Sequence, residues 1–155
     1  MSIFAIYLTN QVYCKYKMKE ISTILNILKV QSVITKKFDG LSLHGISLTD
    51  YLILYILNNA PGNRLKRIDL AENTGLTASG ITRIILPMEK MGLVEKENSD
   101  RDARVSYVKL TSAGERIFTE ATITAEYISK KLLEGIVTED LSIFAGQLKT
   151  LGGDL

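Results

Sequence analysis

At 155 residues the chain has room for one domain, or for one compact unit with appended helices. Its 46% hydrophobic and 23% charged residues exclude a disordered chain, and a formal net charge of only +2 excludes binding to polyanions through bulk positive charge. The single cysteine, Cys14, excludes an intrachain disulfide and points to a reducing compartment, so the expected location is cytoplasmic.

No run approaches the roughly 20 apolar residues that span a bilayer, so no membrane association is expected. Residues 1–17 are apolar at first, then rich in tyrosine and lysine, with weak periodicity. Two readings stay open for them: an extra strand or arm, or a start codon misread upstream of Met18. From Ile21 through Ile24, Leu25, Leu28, Ile34 and Phe38 the spacing predicts a long first helix over residues 19–38, with Gly40 as its stop. Ser47 or Thr49 caps a second, buried helix that Asn58-Asn59-Ala60-Pro61-Gly62 ends. A short helix over Arg67 to Thr74 is broken by Gly75. Thr77 caps the next, which runs to about Met91, with Gly92 at its end.

The period then changes. Val94 to Glu97 and Val105 to Leu110 read as two strands of a hairpin. Thr111 caps a second long helix reaching toward Leu133, and a last helix begins at Thr138 with Glu139 and Asp140 in its first turn. The terminal helices carry more apolar face than a small domain covers alone, and a second copy of the chain would bury it.

Chemistry concentrates between Ile68 and Gly114. Gly75 supplies a tight turn between two short helices, and Leu76 reads as an apolar plug between them. Ile81, Ile84 and Ile85 face inward from the second helix. Outward near its start stand Thr77, Ser79, Thr82 and Arg83; small hydroxyls can approach phosphates or base edges, and arginine pairs bidentately with guanine. Gly80 leaves room for the backbone to come near DNA. Pro87 removes a helical hydrogen bond and is expected to bend the helix beyond that part. The run Asp100-Arg101-Asp102-Ala103-Arg104 tips the hairpin with two arginines. Arg101 is the candidate for a narrow minor groove, and Arg104 either joins it or pairs with Asp102 to brace the tip.

Leu70-Ala71, Thr82-Arg83, Met88-Glu89-Lys90, Gly92-Leu93-Val94, Arg101-Asp102-Ala103-Arg104 and Leu110-Thr111-Ser112-Ala113-Gly114 together resemble the winged helix–turn–helix of the MarR/SlyA family of bacterial transcription regulators. The resemblance covers about residues 19–151. It implies a mainly α fold with a small β-wing, divided into an atypical N-terminal extension (1–17), an N-terminal dimerisation helix (18–45), a winged helix–turn–helix DNA-binding domain (46–111) and C-terminal dimerisation helices (112–155). It further implies a homodimer on a pseudo-palindromic operator in double-stranded DNA, with half-sites about one helical turn, roughly 34 Å, apart. Recognition helices would enter major grooves from Thr77 onward, with Arg101 of each wing in a flanking minor groove. The implied function is a sequence-specific transcriptional regulator, read as a repressor, that a small apolar or phenolic effector modulates. The alternatives are a winged-helix protein-interaction module without specific DNA binding, and a thiol-based redox-sensing regulator acting through Cys14.

Cys14 has Tyr13 and Tyr16 nearby, and Lys15 and Lys17 would favour its thiolate. It lies before the part that resembles the family, so the sensing role is not carried over and a bystander thiol is the favoured reading. His44, the only histidine, is expected to be a solvent-exposed loop residue, with a place beside a ligand pocket as the alternative. One His and one Cys do not make a metal site, which wants three or four ligands. No nucleophile–base pair and no phosphate-cradling glycine loop is present, so neither an enzyme nor a cofactor is expected.

Overall fold

The structure, a computed structural model, describes the backbone of residues 3–98 and 106–155, and the side chains of residues 19–98 and 106–155. It divides into two units, Met1–Lys37 and Phe38–Leu155. The first is a single helix, α1 (Ile3–Lys37). The sequence predicted this helix only from residue 19, with residues 1–17 read as a strand or arm or as the product of a start codon misread upstream of Met18. Instead the helix begins at Ile3, because no glycine or proline interrupts the chain before Gly40 and each added residue needs only propagation of a helix already nucleated. Gly40 is not its stop: α1 ends at Lys37, with Lys36 and Lys37 in the last turn facing the negative end of the helix dipole. Ile21, Ile24, Leu25 and Leu28 are all exposed on α1, at the spacing of one helical face.

The second unit opens with a 3₁₀ helix, Phe38–His44, which buries Phe38 and Leu41. Residues 38–44 therefore fold with the helices that follow and not with α1. Next come α2 (Leu48–Asn59), β1 (Arg64–Lys66), α3 (Arg67–Thr74), α4 (Ala78–Lys90), β2 (Val94–Asn98), β3 (Ser106–Leu110), α5 (Ser112–Leu132) and α6 (Thr138–Thr150). The three strands form one antiparallel sheet in the order β1-β3-β2. β1 is an addition to the expected two-stranded hairpin. It is only three residues long, and its Leu65 stands opposite Val108 of β3 on the inner face.

Caps set the helix boundaries. Ser47 starts α2 in a capping box: its hydroxyl accepts from the Asp50 amide, and the Asp50 carboxylate accepts from the Ser47 amide at 2.8 Å. Thr111 starts α5, its Oγ1 accepting from the Gly114 amide at 3.0 Å. One core holds the unit together. Ile53, Leu54 and Leu57 of α2, Leu70 of α3, Ile81, Ile85 and Met88 of α4, and Val108 of β3 are fully buried, each such aliphatic side chain contributing about 1.5–3 kcal/mol. Helix α5 packs on α2 and on the 3₁₀ helix through the small Ala121 and Ala125. Small residues there let Tyr51 of α2 stack on Phe118, ring centroids 5.5 Å apart, while its hydroxyl meets Thr122 Oγ1 at 3.1 Å. His44 is not the solvent-exposed loop residue expected from sequence. It is half-buried, and its Nε2 lies 2.9 Å from Thr124 Oγ1 on α5.

Candidate nucleic-acid interface

Two short helices and the turn between them form the centre of the site. Gly75 takes φ 65°, a left-handed backbone that favours glycine, and its amide together with that of Leu76 closes the end of α3 onto the Glu72 and Ala71 carbonyls. Chain direction thus reverses over Gly75-Leu76-Thr77, and α4 starts at once. Leu76 is exposed and not the apolar plug expected of it: Leu70 and Ala71 of α3 and Ile81 and Ile85 of α4 are the buried residues of the pair.

Thr77 is the N-cap of α4. Its Oγ1 accepts from the Gly80 amide at 3.1 Å and lies 3.2 Å from Ser79 Oγ. A Cβ on Gly80 would sit 3.2 Å from that same Thr77 Oγ1, so glycine at this position makes space for the cap. Thr82 donates its hydroxyl to the Ala78 carbonyl at 2.9 Å. Of the four expected residues on this helix, Thr77, Ser79 and Thr82 thus have their hydroxyls engaged locally, while Arg83 stands exposed with its side chain free of such a contact among the described residues. Despite Pro87, α4 remains helical to Lys90.

The outward stripe of α4 is longer than the sequence reading made it. Ser79, Arg83, Leu86 and Lys90 recur at intervals of four, three and four, which keeps them on one face, and all four are exposed. Leu86 and Lys90 were missed, although both follow from continuing the helical spacing beyond Arg83. Neither Arg83 nor Lys90 has an ion-pair partner among the described residues. Glu89, the one acid of the helix, is half-buried and drawn to Arg67 at the start of α3, Oε1 to Nη2 3.4 Å. The stripe therefore presents two cations, a hydroxyl and an alkyl side chain, with no carboxylate on it.

The sheet differs in that two of its cations are paired with acids. Arg64 pairs with Glu97 and lies over the Tyr107 ring at 5.1 Å. Lys109 Nζ lies 3.4 Å from Glu97 and 3.6 Å from Glu95. Such exposed pairs add about 0–1 kcal/mol each, but they engage Arg64 and Lys109 within the sheet. Strands β2 and β3 are paired as far as Asn98 and Ser106. Arg101 and Arg104, the two expected wing contacts, lie outside the described residues, as does the side chain of Cys14.

Among the described residues no three His, Cys, Asp or Glu side chains are grouped to hold a metal. Among them, too, no single helix is long and apolar enough to cross a membrane.

Residues 46–106 match the model of the MarR family. The chain is 26% identical over 110 residues to the HTH-type transcriptional regulator PapX of Escherichia coli; the match covers 71% of this chain and 66% of PapX, just under two thirds of that relative. Its structure superposes on that of AbsC, a MarR family transcriptional regulator from Streptomyces coelicolor, with a TM-score of 0.76 and 25% identity over 86% of this chain and 91% of AbsC. It shares its fold with Sco3205, a MarR family transcriptional regulator of the same organism determined in complex with DNA, at a TM-score of 0.75 and 18% identity over 86% of this chain and 85% of Sco3205. The segment that holds the helix–turn–helix thus matches the MarR family, and the chain shares the fold of that family's solved members.

Proposed function

We propose that this chain is a sequence-specific DNA-binding transcriptional regulator that reads a pseudo-palindromic operator as a homodimer. The observation that carries the reading is the outer stripe of α4, where exposed Ser79, Arg83 and Lys90 stand on a capped, well-packed helix free of outward carboxylates. A helix about 10–12 Å across fits the major groove of B-DNA, and cations without ion-pair partners among the described residues are available to phosphates and guanine edges. Arg101 and Arg104 belong by sequence to the link between β2 and β3 and extend the basic surface toward the minor groove in this reading. The DNA complex of Sco3205, a protein of the same fold, supports it.

Two sets of exposed apolar residues support the homodimer: Ile21, Ile24, Leu25 and Leu28 on α1, and Ile143, Phe144 and Leu151 toward the C-terminus. Covering either set by a second copy removes apolar surface from water at about 25 cal/mol per Å². The regulator acts as a repressor in this reading, and a small apolar or phenolic effector relieves it. The Tyr51, Phe118 and Tyr55 rings between α2 and α5 supply surface of matching chemistry.

Fluorescence-anisotropy titration of the purified protein on duplexes from its own upstream region tests the reading. A complex that outlasts competition by unrelated duplex and weakens steeply as salt rises is expected. Equal affinity for operator and unrelated duplex, or no complex at low salt, would overturn it in favour of a protein-interaction module.

A further inference from the structure

Leu86 is the residue on the α4 stripe that charge does not explain. It is 47% exposed on a helix where Ile81, Ile85 and Met88 are fully buried and Ile84 is half-buried. Neighbouring Pro87 does not turn it inward. Leu86 stands seven residues beyond Ser79, three beyond Arg83 and four beyond Thr82, so it projects from the face that carries the proposed DNA contacts. Arg83 and Lys90 flank it on the same stripe and no carboxylate does, which suits a polyanionic partner and disfavours an acidic or purely apolar one.

We propose that Leu86 is a specificity-determining residue that reads the C5-methyl group of a thymine in each half-site. The proposal rests on the reading of α4 as the helix that enters the major groove. Thymine alone among the four bases presents a methyl group to that groove, and an alkyl side chain is its matching contact. Helix rise then places the base. Leu86 lies about 4.5 Å along the axis from Arg83 and about 10.5 Å from Ser79. Those distances correspond to roughly one and three base-pair steps of about 3.4 Å. The thymine therefore adjoins the position at which Arg83 meets guanine. Leu86 and Arg83 together would read a two-base word, the leucine by shape and the arginine by hydrogen bonds.

The experiment starts from the duplex that the full-length protein selects from a random pool. Each thymine of a half-site is replaced in turn by deoxyuridine, which removes only the methyl group, and affinity is measured for the wild type, Leu86→Ala and Leu86→Met. One thymine, next to the base whose identity ceases to matter in Arg83→Ala, is expected to lose about fourfold on replacement in the wild type. It should lose about as much in Leu86→Met and nothing in Leu86→Ala. If Leu86→Ala does not fold, the comparison of the wild type with a Leu86→Gln variant takes its place. Operator binding that is intact but shows the same methyl dependence with and without the leucine overturns the role of Leu86 and leaves the DNA-binding reading standing. Failure of the protein to select any sequence overturns both.

Discussion

Gly114 rests so closely on the Leu93 carbonyl that a single methyl group at Gly114 would overlap that oxygen, and would also come within 2.7 Å of Leu110 Cδ1. Thr111 fixes the same junction: its Oγ1 donates toward the Gly92 carbonyl at 2.6 Å and lies 3.1 Å from the Leu93 carbonyl, while its amide donates to the Leu93 carbonyl at 3.1 Å. The end of α4 is thereby tied to the start of α5.

Gly114→Ala is expected to destabilise the protein by at least about 2–3 kcal/mol, since backbone and a packed leucine both stand in the way. Gly146, in the middle of α6 with open space where a Cβ would stand, is the contrasting case. There alanine should stabilise by about 0.5–1 kcal/mol. Urea unfolding of the two variants checks both; similar effects of the same sign would contradict the junction described here.

Thr77→Ala removes the acceptor for the Gly80 amide and should lower stability by about 1 kcal/mol, whereas Thr77→Ser should recover most of it. Because Thr77 acts through the cap, both variants should retain the operator preference of the wild type when folded. A Thr77→Ala protein of unchanged stability but altered base preference would instead make Thr77 a direct reader.

Arg83→Ala should weaken operator binding by about 1–3 kcal/mol and relax specificity at one position per half-site. The unfolding midpoint should stay where it is, because Arg83 is exposed and unpaired among the described residues. Arg101→Ala should give a loss of similar size, and Arg104→Ala a smaller one. Titrations at several salt concentrations separate phosphate from base contacts. Full retention of affinity in both Arg83→Ala and Arg101→Ala would exclude the proposed docking.

Leu25→Glu places a charge within the exposed Ile21, Ile24, Leu25 and Leu28 stripe of α1. Sedimentation equilibrium is expected to show a dimer for the wild type and a shift toward monomer for the variant, with operator affinity falling in step. A wild-type monomer at micromolar concentration that still binds the operator tightly would contradict the paired arrangement.

Local signals were the ones that sequence carried well. Thr77 and Thr111 cap the helices they were expected to cap, Ser47 is the cap of the two candidates Ser47 and Thr49, and Gly75 makes the turn. Each of these depends on backbone groups two or three residues away. Partners distant in sequence were not legible. Three residues, Arg64–Lys66, show no period of their own and become a strand only because β3 pairs with them. His44 is held by Thr124, 80 positions later, so nothing around it in the chain signals its burial. Leu86 was obscured by Pro87, which was expected to bend α4 beyond the part that meets DNA; the helix runs to Lys90, close to the expected end at about Met91, and the stripe runs with it.

The most direct test of the account is selection of duplex DNA from a random pool by the purified full-length protein, followed by sequencing of the bound fraction. The account predicts enrichment of one pseudo-palindromic motif whose half-sites lie about one helical turn, roughly 10 base pairs, apart. Recovery of no common motif, or of a single site without twofold symmetry, would contradict it.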